Sequence, residues 1–246
     1  MCTLVLAWQV FEDAPVAVAA NRDERLDRPS QPPGILDENP RVVAPRDADA
    51  GGTWFGYNGH GLFVAITNRW VDVEGERSRG LLVRDTLAHE SAEAAARFVE
   101  DAVEEDAYAG FNLVVADERA AIFFEHHGEL LSRNFAQGVH VVVNVGADGT
   151  FFVPEGREEP GEQQAVDAMR LDETLQPRAG EGADDWVERA ASVIRDHDYG
   201  VCVHDEERNF STRSSSLLVL NEDGRAVYRY ADGPPCETSY DPVDVA

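Results

Sequence analysis

The chain contains no lysine: all 21 of its basic residues are arginines, set against 47 acidic residues for a formal net charge of -26 over 246 residues. Without lysine no phosphate loop of the Gly-x4-Gly-Lys type can exist, and no glycine triplet of the dinucleotide-binding kind opens a helix after a strand. The acidity excludes binding to nucleic acid through a basic face. Cysteine is also scarce. Cys2, Cys202 and Cys236 are odd in number and irregularly spaced, so the sequence shows neither a disulfide framework nor a zinc motif, and no metal site is expected. A reducing, cytoplasmic setting is the simplest reading. No long hydrophobic run is present. The opening segment, residues 1–20, lacks a positive region before its apolar stretch, and acids interrupt it, so neither a signal peptide nor a membrane span is expected.

The carboxylates fall in every segment rather than in one block. A docking patch for a basic partner would be concentrated, whereas a salt-adapted surface would be spread. The pattern therefore favours a halophilic surface that holds water and ions where screening lengths are only about 3 Å, as at 1 M salt.

The hydropathy pattern predicts strands over 3–9 and 15–20, joined by a turn at Glu12-Asp13-Ala14-Pro15. A polar stretch rich in Pro, Asp and Arg runs from Asn21 to about Gly52 and reads as a long loop. A hairpin is predicted at 53–57 and 61–67 around Asn58-Gly59. Ser78 and Ser91 are candidate caps for two helices. Strands follow at 111–116, 120–125, 129–133 and 139–144, helices at 162–175 and 184–196, and strands at 215–220 and 225–230. This order lacks the alternation of a parallel sheet. Antiparallel sheets flanked by helices, in a single domain over 1–246, are the expected α+β architecture.

Cys2 is the residue with the most chemistry. Loss of Met1 would give it a free α-amine beside its own thiol. Such an amine titrates near pH 8 and can act as general base, so one residue supplies nucleophile and base. The first two strands form a hairpin, so the end of the second returns to Cys2. That brings the stretch Asn21-Arg22-Asp23-Glu24 beside it, with Asp23 placed to orient an ammonium and an arginine available for an anion. Taken alone, the four-residue string reads more readily as a solvated turn.

More blocks complete the pattern: Cys2-Thr3, Ala20 to Glu24, Gly51-Gly52-Thr53-Trp54, Thr67-Asn68-Arg69, Ser78-Arg79-Gly80, Gly110-Phe111-Asn112-Leu113 and Thr212-Arg213-Ser214-Ser215. Together, in this order and over nearly the whole chain, they resemble the NRDE family, that of the second transport-and-Golgi-organisation protein. That family is in turn similar to the choloylglycine-hydrolase and penicillin-V-acylase branch of the N-terminal-nucleophile hydrolases. The resemblance implies a four-layer α/β/β/α sandwich of two antiparallel sheets. It implies hydrolysis of a non-peptide C–N amide bond of a small molecule, with Cys2, Asp23 and Asn144 as catalytic residues and Asn144 at the oxyanion. Asn21, Arg22, Asn68 and Arg213 form the implied substrate-binding set. The arginine departs from the branch's pattern: Ala20 stands where the branch has it, and Arg22, two positions on, is expected to point away from the nucleophile.

The resemblance also implies an alternative, a non-enzymatic carrier for haem or an acyl-thioester using the same cleft. Axial candidates for haem are Cys202-Val203-His204, His60 and His126-His127. Without Cys-x-x-Cys-His, covalent haem attachment is excluded. No cofactor is required by the hydrolase reading.

Overall fold

The computed structural model describes residues 2–205 and 207–244. Chain contacts divide it into two compact units. The first runs to Arg28 and resumes over Gln137–Val243; the second is built from Pro29–Ala136.

The first unit begins with β1 (Cys2–Phe11) and β2 (Ala14–Arg25), a hairpin turned at Glu12-Asp13 as the sequence predicts. Most side chains of both strands are buried, including the unbroken runs Thr3–Ala7 and Ala14–Ala19, which explains their continuous apolar character rather than alternation.

The second unit holds a seven-stranded antiparallel sheet. Its strands are β3 (Ser30–Glu38), β4 (Arg41–Asp47), β5 (Phe55–Asn58), β6 (Phe63–Asn68), β7 (Phe111–Ala116), β8 (Ala121–His126) and β9 (Leu130–Asn134), in that spatial order. The polar stretch expected as a loop is therefore largely ordered: β2 extends to Arg25, and β3 and β4 form a hairpin. The sequence hides this because β3 is an edge strand with no buried residue, and edge strands need no apolar alternation and tolerate Pro32-Pro33. Asn58 ties the β5–β6 turn to the helix that follows. Its Oδ1 accepts from His60 N and Leu62 N, and its Nδ2 donates to Leu87 O and His89 O. Two helices pack on this sheet, α1 (Arg79–Thr86) and α2 (Ala92–Glu105). Ser91 caps α2, its hydroxyl accepting from Ala94 N, whereas Ser78 precedes α1 without a side-chain cap.

The first unit is completed by β10 (Gly138–Val143), β11 (Gly146–Ala147), β12 (Thr150–Phe151), α3 (Glu158–Leu175), α4 (Ala183–Ile194), a 3-10 turn at His197–Tyr199, β13 (His204–Asp205), β14 (Phe210–Leu220), β15 (Ala226–Ala231) and β16 (Asp241–Pro242). With β1 and β2 these strands form a nine-stranded antiparallel sheet in the order β12-β11-β10-β1-β2-β14-β15-β16, with β13 paired to β14. β1 thus lies inside the sheet between β10 and β2, and its first residue is held on both sides. Trp186 of α4 is fully buried, and its indole donates to Leu175 O, closing the α3–α4 connection. Each unit is an antiparallel sheet with its own helix pair, the α+β class read from the order of elements.

Candidate active site

The register of the first sheet builds the site. Cys2 pairs with Arg22 across β1 and β2, and Arg22 pairs in turn with Ser214 of β14. On the other side Leu4 pairs with Val142, so continuing that ladder by two residues sets Asn144 across from Cys2. Four strands therefore deliver Asn144, Cys2, Arg22 and Ser214 in a row at one end of the sheet. Residues paired across an antiparallel ladder project from the same face. Arg22 consequently shares the face of Cys2, which corrects the expectation that it points away.

Cys2 N donates to Asn144 Oδ1 at 3.0 Å. Gln164 Nε2, from the buried face of α3, donates to the same oxygen at 3.1 Å. The Cys2 thiol lies 3.7 Å from the carbonyl oxygen of Asp23. Asp23 is 4% exposed, and its Oδ1 accepts from Thr212 Oγ1 at 2.5 Å. The Thr212 hydroxyl in turn accepts from Val203 N at 2.8 Å, and Thr212 N donates to Val203 O. Arg22, 6% exposed, stands 3.7 Å from Glu24 Oε2.

Burial dominates the electrostatics. It pushes the Cys2 thiol above its ordinary value; the Asp23 carboxylate adds to this, and the Arg22 guanidinium opposes it. Burial also raises the Asp23 carboxyl, against the hydrogen bond from Thr212 and the charge of Arg22. The thiol is thus held protonated at neutral pH and needs a base to become a nucleophile. That differs from the lowered value that a neighbouring ammonium and arginine alone would give.

The other expected residues fall in different places. Asn21 alternates with Arg22 and faces α4. Its Nδ2 donates to Ile194 O and Val201 O, both at 2.8 Å, and its Oδ1 accepts from Ser215 Oγ at 2.7 Å. Both amide hydrogens are spent on the backbone, leaving no donor for a ligand, so Asn21 is a pin of the fold. Arg213 sits at a bulge of β14 between Thr212 and Ser214 and lines a cleft of about 320 Å³ with His204, Asp205, Thr212, Asp232 and Glu237. Asn68 ends β6 in the second unit, exposed and paired with Phe111.

Thr212 and Gln164 were absent from the expected site. Thr212 had a signal, being the first residue of one of the sequence blocks. Gln164 had none, as a single amide on an amphipathic helix. Other blocks prove to be packing devices. Arg69 Nη1 donates to Asn112 Oδ1 at 2.8 Å and to Glu125 Oε1 at 2.7 Å. Arg79 Nη1 donates to Gly110 O at 2.6 Å, and a Cβ on Gly52 would overlap the Gly80 backbone.

The haem candidates are divided between the two units. His60 is exposed in the β5–β6 turn, and His126 is buried against the Phe111 ring with centroids 5.1 Å apart. Cys202 and His204 lie among other thiol and imidazole donors, and the cleft beside His204 is lined by charged and hydroxyl groups rather than by an apolar slot.

The fold is that of the N-terminal-nucleophile hydrolases. Penicillin V acylase from Agrobacterium tumefaciens superposes with a TM-score of 0.57 at 17% identity, covering 94% of this chain and 83% of its own. A mutant of the conjugated bile acid hydrolase from Clostridium perfringens gives 0.56 at 13% identity, covering 99% and 92%. An N-acylethanolamine-hydrolyzing acid amidase ortholog from Caenorhabditis elegans gives 0.54 at 13%, covering 89% and 92%. The chain belongs to the Transport and Golgi organisation 2 family, whose sequence profile matches residues 1–230. It is 24% identical over 243 residues to the Transport and Golgi organization protein 2 homolog of Bos taurus, covering 86% of this chain and 84% of that protein. The Mus musculus homolog is 33% identical over 106 residues, 41% of this chain and 38% of that protein. Among the described residues no helix is long and apolar enough to cross a membrane.

Proposed function

We propose that this chain hydrolyses a non-peptide C–N amide bond of a small molecule, with Cys2 as nucleophile once Met1 is removed. The observation that carries the reading is the seating of Cys2 N on Asn144 Oδ1 at 3.0 Å, beside a buried carboxylate and arginine. Removal of Met1 would turn that same nitrogen into the α-amine. The amine then takes the thiol proton, directly or through a water, and the thiolate attacks the amide carbon. The oxyanion is received by the Asn144 amide group and a backbone N–H. On collapse the C–N bond breaks, the leaving amine takes the proton from the Cys2 ammonium, and a thioester remains. Water, deprotonated by the Cys2 amine, attacks the thioester, releasing the acid and restoring the thiol.

Asp23 holds the ammonium formed in each half-reaction, and Thr212 holds Asp23. Arg22, already acting on the thiol, and Arg213, whose buried Nε has no hydrogen-bond partner among the described residues, would receive an anionic portion of the substrate. The same proposal includes a cytoplasmic setting and a salt-adapted acidic surface.

The test combines mass spectrometry with turnover. Purified protein is weighed intact, then incubated with a panel of N-acyl amides, and the Cys2 peptide is examined for an acyl adduct. Loss of Met1, an acyl group on Cys2 and its disappearance in a folded Cys2→Ala variant are expected. Retained Met1 in turning-over protein, or turnover undiminished by Cys2→Ala, would sink the mechanism. Binding without any adduct would favour the carrier reading instead.

A further inference from the structure

Two of the three cysteines and two of the seven histidines meet at one point of the first unit. His197 comes from the 3-10 turn after α4, Cys202 and His204 flank Val203 at the start of β13, and Cys236 comes from the segment after β15. One donor atom from each lies within 4.8 Å of all the others. His204 Nε2 stands 3.1 Å from Cys236 Sγ and 3.9 Å from Cys202 Sγ, and the His197 and His204 rings have centroids 5.2 Å apart. All three cysteines of the chain are free thiols.

We propose that His197, Cys202, His204 and Cys236 bind a tetrahedral divalent cation of the zinc class. A zinc ion with Zn–S near 2.3 Å and Zn–N near 2.0–2.1 Å spaces its four donors about 3.3–3.8 Å apart. With donors up to 4.8 Å apart, the separations need adjustments of about 1.5 Å or less, which exposed His197 and His204 can make by side-chain rotation. Two thiolates and two imidazoles select zinc over magnesium or calcium, which take oxygen. Binding displaces one proton from each thiol to solvent, so the site carries the ion as a neutral whole. Four protein ligands fill the shell and leave no position for water, which makes the ion a staple rather than a catalyst.

The staple has something to hold. β13 is two residues long, the 3-10 turn three, and Cys236 lies in a stretch without a strand. Val203, between two of the ligands, both donates to Thr212 Oγ1 and accepts from Thr212 N, and Thr212 binds Asp23. Metal at this point would fix the segment that positions the Asp23 carboxylate, while leaving Cys2 outside the coordination sphere.

The experiment is a cobalt and zinc titration of full-length protein stripped with chelator under reducing conditions. One ion per chain, a thiolate-to-cobalt charge-transfer band and displacement of cobalt by zinc are expected. Cys236→Ser, which leaves one thiolate, should weaken both the band and the cobalt affinity. His197→Ala, at an exposed position that should leave the fold intact by circular dichroism, should weaken zinc by at least about tenfold, the least that loss of even an outer partner brings. Cys2→Ser should bind as wild type does. No charge-transfer band, unchanged affinity in both cluster variants, or a Cys202–Cys236 disulfide persisting under reductant would overturn the site.

Discussion

Thr212→Val tests whether the carboxylate beside Cys2 is held as described. Valine matches threonine in shape, so no cavity opens, and the change removes only a hydroxyl. That hydroxyl donates to Asp23 Oδ1 at 2.5 Å and accepts from Val203 N at 2.8 Å, with Thr212 fully buried. A hydrogen bond to a charged group contributes about 1.5–3 kcal/mol, and an orphaned amide costs about 1 kcal/mol or more. The variant should therefore lose about 2–4 kcal/mol. At about 2–4 °C per kcal/mol for a chain of this size, its melting temperature should fall by about 5–15 °C. Thr212→Ser keeps both bonds and should stay within a few degrees of wild type. The gap between Val and wild type should narrow as pH falls through the folded pKa of Asp23, because the bond to a neutral carboxyl is weaker. Thermal denaturation of the three proteins across pH is the assay. A valine variant that melts with wild type, or a serine variant as unstable as valine, would refute the Thr212–Asp23 bond.

Asn21→Ala removes two bonds to backbone carbonyls and one from Ser215, and should cost about 2–4 kcal/mol in denaturant unfolding without changing labelling of Cys2 by a small thiol reagent. Since burial raises the Asp23 carboxyl above 3.8, the folded state keeps a proton that the unfolded state releases. Stability should fall as pH climbs from 3.8 to that raised value, and Asp23→Asn should flatten this part of the curve. Alkylation of Cys2 should speed up from about pH 6 to about pH 8, as a raised thiol requires, with Cys202, pushed up to about 12 chiefly by burial, slowest; a pH-independent rate at Cys2 would show a preformed thiolate. With -26 charges the melting temperature should rise strongly between about 0.1 and 2 M sodium chloride, and a flat response would remove the salt-adapted reading.

The sequence by itself determined the elements whose burial leaves a periodic trace. β7 was readable at its observed bounds, Phe111–Ala116, because both its faces are buried, and the β5–β6 turn because Asn58-Gly59 has few other uses. The nearness of Cys2 and Asp23 was legible because a short hairpin joins them, so local geometry suffices. β3 was not, since an exposed edge strand has no need of apolar residues. Only the tertiary structure decided which face Arg22 occupies, because one step of register moves every side chain to the other side and the hydropathy pattern says nothing at a strand end. It alone joined Cys2 to Asn144 across 142 positions and Asp23 to Thr212 across 189. It likewise gathered His197, Cys202, His204 and Cys236, whose spacing matches no metal motif. Such contacts are set by how strands and irregular segments stack in space, and no pattern local to the chain carries that information.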